Sequence, residues 1–88
     1  MNEQQFREKA QAEGYAEPVL VEWSAGEFND SHAHDFDAMI YVVEGSLEIT
    51  CGEVDGHLAP GTYTSLGKGV MHTDGAGGDG VKFLAARR

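Results

Sequence analysis

The stretch HAHDFDAMIYVVEG, residues 32–45, decides how this chain folds. Its second half, from Ala38 to Val43, is rich in β-branched and aromatic residues, and that composition predicts a strand. Because side chains alternate between the two faces of a strand, His32 and His34 are expected to point to the same side. Neutral imidazole is the commonest protein ligand for transition metals, so the pair predicts two ligands of one ion.

The same pair also fits two surface histidines on an edge strand, but its surroundings favour the metal interpretation. Gly26 precedes His32 with five residues between them, and Gly45 closes the strand. Far along the chain, a Gly-Lys-Gly turn at residues 67–69 is followed by His72. One site would then account for three of the four histidines.

The residues around the histidine pair fill a frame of glycine, five residues, His-x-His, three or four residues, glutamate, six residues and glycine. Gly26, His32, His34 and Gly45 occupy it, and Ala38 stands where the glutamate is expected.

A second frame runs glycine, five residues, proline, any residue, glycine, two residues, histidine, three residues and asparagine. Gly61, Gly69 and His72 fit it, while Gly67 replaces the proline and Ala76 the asparagine. With both frames present, the chain resembles small single-domain cupins.

The resemblance begins at about Val19 and runs to the C-terminus. It implies an all-β domain at residues 15–88, folded as a small antiparallel β-barrel or jelly roll. Residues 1–14, before this domain, are expected to form a helix. The resemblance also implies that His32, His34 and His72 line the barrel interior and hold one divalent transition metal. Imidazole ligands are compatible with zinc, iron, nickel, manganese or copper, and the metal's identity stays open.

The absence of the expected glutamate leaves the fourth ligand undecided. Ala38 shares a strand face with the histidines and offers no ligand atom. Asp37 points to the opposite face unless a bulge near Phe36 shifts the register, so it is kept as a candidate. Three histidines alone make an open site, the kind that leaves positions for water or substrate.

An N-terminal helix is expected from its capping residues. Asn2 is a favoured N-cap, Gln5 occupies the capping-box position, and Gly14 is a natural stop. Only Phe6 and Ala10 give this helix an apolar stripe, so light docking is expected.

Short β-prone runs follow the helix, separated by turn residues, and this spacing is typical of a sandwich or barrel. A hairpin is expected near Gly52 and Asp55-Gly56, and the glycine-rich stretch from Asp74 to Gly80 is expected to be a flexible loop. The predicted runs are Val19–Trp23, Ala38–Val43, Leu47–Cys51, Thr62–Leu66 and Val81–Ala85.

Charge and composition limit the function classes. The 88 residues include fifteen acidic and six basic ones, a net charge of −9, which disfavours binding to nucleic acid or to acidic membranes. No apolar run approaches the roughly eighteen residues that a spanning helix needs. The single cysteine, Cys51, cannot form an internal disulfide, and with no apparent signal peptide a cytoplasmic location is expected.

A homodimer is expected from the outer face of the central strand. Met39, Tyr41 and Val43 make that face apolar, opposite the face that carries the interior residues. The helix can cover part of it, and an isologous contact between two copies is the common way to cover the rest.

Two classes of function fit these observations. One is a metal-dependent enzyme acting on a small molecule, such as a dioxygenase, since the cupins that the chain resembles include many enzymes. The other is a module that binds or senses a small ligand without chemistry. His57 lies outside both frames and is expected to be a solvated loop residue.

Overall fold

A computed structural model describes the backbone of residues 1–88 and every side chain except that of Val54. One helix precedes six strands, all of them antiparallel to their partners. The elements are α1 (Glu3–Ala12), β1 (Val19–Trp23), β2 (Phe28–His32), β3 (Ala38–Cys51), β4 (Val54–Leu58), β5 (Tyr63–Leu66) and β6 (His72–Arg87).

Two long strands form the centre of the sheet. β3 and β6 pair with each other along most of their length, and the short strands extend the sheet on either side. β1 and β2 lie beside successive parts of β6, whereas β5 and β4 lie beside successive parts of β3. The rolled sheet is the small antiparallel β-barrel of jelly-roll type that the sequence predicts.

Both long strands bend where a glycine adopts a positive φ. Gly45 has a φ of 78° and Gly80 one of 76°, beside register shifts in the β3–β6 ladder. A Cβ atom on Gly45 would lie 2.1 Å from the carbonyl oxygen of Gly80, so the two backbones approach too closely for any side chain. Because of these bends, each long strand contributes to both halves of the barrel.

Side chains on the two faces of β3 pack into two different hydrophobic cores, as the alternation of side chains along a strand predicts. The interior cluster receives Ala38, Ile40 and Val42. On the outer face, Met39 and Tyr41 pack under the helix.

The helix begins and ends as predicted, with Asn2 as N-cap and a complete capping box with Gln5. It is docked more firmly than expected, because Phe6 and Ala10 are fully buried and the Phe6 ring stacks on that of Tyr41 at 5.4 Å. No helix among the described residues is long and apolar enough to cross a membrane.

This docking removes much of the argument for a homodimer through the outer face of β3. Met39 is inaccessible and Tyr41 nearly so, both covered by the chain's own helix. Val43 alone of the three residues stays partly exposed.

The strand pattern differs from the prediction in four ways. The runs at 38–43 and 47–51 are one continuous strand bent at Gly45. The region of Asp55-Gly56 is part of β4, and β2 has no counterpart in the prediction. The stretch from Asp74 to Gly80 lies in the first half of β6, although its glycines lack the side chains typical of a strand. The backbone of Asp74 and Gly75 pairs with both β2 and β3, and that of Ala76 pairs with β3.

Candidate metal centre

The ladder between β2 and β6 forms one wall of the candidate site. His32 pairs with His72, and Asn29 pairs with Asp74. The register shifts between the two pairs, since the β2 members are three positions apart in the chain and the β6 members are two positions apart. This bulge directs all four side chains toward one place.

His34 lies beyond the end of β2, in the connection to β3, and not on the same strand as His32. Its position is fixed by other contacts: its carbonyl oxygen accepts a hydrogen bond from the Gly69 N–H at 2.9 Å. Its ring stacks on Phe36 with centroids 4.7 Å apart. The turn before His72 is thereby attached to the segment that carries His34.

The three histidines predicted from the sequence converge. One ring nitrogen from each lies within 4.8 Å of the corresponding nitrogens of the others. The ring centroids of His32 and His72 are 4.4 Å apart, and that of His34 lies 5.0 Å from the first and 5.3 Å from the second. The group is positioned to bind a metal ion.

The hydrogen bonds of two rings assign their tautomers. His32 Nδ1 lies 2.6 Å from the Asp30 carbonyl oxygen, and His72 Nδ1 lies 3.0 Å from that of Val70. A carbonyl oxygen only accepts, so each Nδ1 carries the proton and each neutral ring has a lone pair on Nε2. This is the backbone support that metal-binding histidines usually have.

His72 Nε2 has no hydrogen-bond partner although it is buried. Among the described residues it is the one such side-chain nitrogen or oxygen. An unsatisfied buried polar atom is costly, and a metal ion is one partner that would satisfy a lone pair there. The donor set therefore fits a transition metal.

Asp74 is a carboxylate at the site that the sequence reasoning missed. Its side chain is 9% exposed, and Oδ2 lies 3.5 Å from His72 Nε2 and 3.8 Å from His32 Nε2. Asn29 Nδ2 donates a hydrogen bond of 2.9 Å to the other oxygen. The sequence feature that could have identified Asp74 is its position two residues after His72, because residues two apart lie on the same face of a strand.

Asp37 is engaged away from the histidines. Its Oδ1 accepts a hydrogen bond from the Lys68 N–H, and its Oδ2 accepts one from the Arg88 guanidinium. These two contacts lower the pKa of Asp37. Asp37 thus connects the segment before β3 with the turn at Lys68 and with the C-terminal Arg88. Ala38 lines the nearby pocket but offers no ligand atom.

Electrostatics favour the neutral form of the His34 ring. Partial burial, together with the neighbouring His32 and His72, lowers the pKa of His34. Metal ligation requires the neutral imidazole, so the lowered pKa suits that role.

A pocket of about 240 Å³ opens beside the histidines. Its polar end contains Asn29, His32, His34 and Asp74, and apolar side chains of the barrel interior form the rest. Arg87 is the one lysine or arginine among the described residues that line it, and its guanidinium lies over the Phe36 ring at 4.5 Å.

His57 lies apart from this group, exposed on β4 with Nδ1 beside the Glu48 carboxylate. The expectation that it stands outside the site agrees with its position, although it belongs to a strand and not to a loop.

Scans against protein-family models and against curated proteins give no match. Solved structures do match. A cupin-2 domain protein from Shewanella frigidimarina is 27% identical with a TM-score of 0.71, over 82% of this chain and 70% of that one. KdgF from Halomonas sp. is 25% identical with a TM-score of 0.68, over 81% and 68%.

A DMSP lyase from Ruegeria pomeroyi shares the fold at 20% identity, with a TM-score of 0.73 over 82% of this chain and 37% of that one. The rolled antiparallel sheet and these matches agree with the resemblance of the two sequence frames. The chain has the fold of a small cupin domain.

Proposed function

We propose that this cupin binds one divalent transition metal through His32, His34 and His72 and uses it to act on a small molecule. The observation that carries the proposal is the buried His72 Nε2, which lacks a hydrogen-bond partner and faces the other two rings. Nitrogen ligands favour zinc, iron, nickel, manganese or copper over calcium or magnesium.

When bound, such an ion supplies Lewis acidity or, if it is redox-active, electron transfer. The chain's own contribution is a small, largely apolar pocket that orients a substrate and limits water. The chain is strongly acidic, but Arg87 places a positive charge at this pocket. Because a guanidinium pairs well with a carboxylate or phosphate, Arg87 favours a substrate with a negatively charged group. The pocket volume of about 240 Å³ favours a molecule of few heavy atoms.

Enzymatic activity is supported by the relationship to a lyase of the same fold, but one fold carries many functions. The second candidate is a module that binds a small ligand without transforming it. The same pocket and ion would serve it, so the site alone does not separate the two.

The proposal is tested in two steps. Elemental analysis of the purified protein, and of protein stripped and reloaded with each ion, is expected to give about one ion per chain. The loaded protein is then screened for oxygen consumption with small thiols and for turnover of small carboxylates. Turnover that requires the metal supports the enzyme, and saturable binding without turnover supports the binding module. No binding of any ion contradicts the proposal.

We also propose a homodimer, now through β1. This strand is at the end of the strand order, so among the described residues one of its edges has no strand partner. Val19 and Leu20 on it are 63% and 52% exposed, and exposed apolar edges favour pairing with another chain. The cytoplasmic location stays a prediction from the sequence.

A further inference from the structure

We infer that Asp74 is the fourth protein ligand of the metal, in the role left open by Ala38; the inference rests on the proposed three-histidine site. In the cupin frame the carboxylate comes from the strand that follows the histidine pair. Here the structure offers one from β6, two residues after His72 and on the same side of the strand.

The negative charge of Asp74 is poorly balanced. Its carboxylate is nine-tenths buried, and the described ion pairs give it no lysine or arginine partner, only His32 and His72. A single N–H donor, from Asn29, contacts it. Burying a carboxylate with so little compensation is costly, and a cation bound beside it would remove much of that cost.

The lone pairs of His32, His72 and Asp74 also point toward one another. His32 and His72 each carry the Nδ1 proton, which is held by a backbone carbonyl. Their Nε2 atoms and Asp74 Oδ2 therefore face one another as three electron-pair donors. Such an arrangement is repulsive without a cation between its members and favourable with one.

The distances between these atoms also agree with a shared ion. Two ligands of one tetrahedral zinc ion, with bonds of about 2.0–2.2 Å, lie roughly 3.4 Å apart. Asp74 Oδ2 is 3.5 Å from His72 Nε2 and 3.8 Å from His32 Nε2. These separations are too long for good hydrogen bonds and close to those of ligands that share an ion.

A fourth ligand changes what the site can do. The carboxylate lowers the net charge of a divalent site from two to one, which suits a buried position. Tetrahedral zinc would be closed by four protein ligands, whereas an ion with six positions would keep two for substrate. Asn29 acts as a positioning residue, because its amide holds the carboxylate with Oδ2 toward the rings.

The experiment is a titration of the stripped full chain with Co²⁺, followed by visible absorption, in the parent and in Asp74→Asn. Asn at 74 keeps the size of the side chain and the bond from Asn29 but loses the charge. Asp74→Ser is a second variant should the first not fold. Asp79→Asn is the matched control, an exposed aspartate on the same strand.

The expected result is a loss of Co²⁺ affinity of more than about tenfold in the Asp74 variants, with a changed absorption spectrum, and no change in Asp79→Asn. Unchanged affinity, or weaker affinity with an unchanged spectrum, overturns the assignment of Asp74 as a ligand while the three-histidine site stands. If the parent itself takes up no Co²⁺ or Zn²⁺, the proposed function fails, and this inference with it.

Discussion

His32 on β2 is the cross-strand partner of His72 on β6, and their ring centroids lie 4.4 Å apart. The two histidines are forty positions apart in the chain. The site therefore depends on correct strand pairing in the folded barrel, and substitutions that disturb this pairing should act on the site as well as on stability.

The bend at Gly45 provides one such test. A methyl group on Gly45 would collide with the Gly80 carbonyl, whereas Gly26 has a similar φ of 78° and nothing within 4 Å of a new Cβ. Gly26→Ala should cost about 1–2 kcal/mol from backbone strain alone. Gly45→Ala should cost about 2–3 kcal/mol more, because its backbone must also move. Urea unfolding measures both, and equal losses would show that the β3–β6 approach is looser than described.

The helix is expected to contribute substantially to stability. Phe6 is inaccessible and stacks on Tyr41, so Phe6→Ala should lower the free energy of unfolding by about 3–5 kcal/mol. Phe28 is 64% exposed, and Phe28→Ala should cost less than about 1 kcal/mol. Thermal or urea unfolding compares the two. A small effect at Phe6 would mean that the helix is not part of the cooperative fold.

The sequence predicted the parts of the fold that depend on local patterns. Asn2 and Gln5 predicted the helix start, and alternation along the strand after Ala38 predicted two buried faces. It failed from Asp74 to Gly80, where pairing with two neighbouring strands, and not side-chain preference, makes the strand. Asp74 was missed for that reason. In a predicted loop, unlike in a strand, a residue two positions after His72 is not expected to point to the same side as His72.

The pair formed by Asp37 and Arg88 predicts a dependence of stability on pH. The Lys68 N–H and then the Arg88 guanidinium lower the pKa of Asp37 below its ordinary value of 3.8. The stabilisation is therefore complete above that value and is lost as the pH falls through the lower folded pKa. Asp37→Asn should be less stable than the parent at neutral pH.

The two proteins should converge once the pH is below the lowered pKa of folded Asp37, where the carboxyl is protonated in both states of the parent. Asp35→Asn is the control, since Asp35 is exposed and the structure gives it no ion pair. Urea unfolding across this pH range gives the comparison, and a difference between parent and Asp37→Asn that is constant with pH would refute the role of the charge.

Association through β1 predicts a dimer whose stability depends on Leu20. Light scattering at micromolar concentration should give the mass of two chains for the parent, because pairing would cover the exposed apolar edge. Leu20→Lys should give the mass of one chain. Val43→Lys, on the outer face of β3, should remain a dimer, and the reverse pattern would locate the interface on that face instead.

The central claim is tested most directly by the metal content of His72→Ala beside that of His57→Ala. Both variants remove one imidazole, but His72 is buried in the three-histidine group and His57 is exposed outside it. After stripping and reloading with Zn²⁺, elemental analysis should find about one ion per chain in the parent and in His57→Ala, and little or none in His72→Ala. Equal metal in the two variants, or none in the parent with any of the ions, would contradict the account.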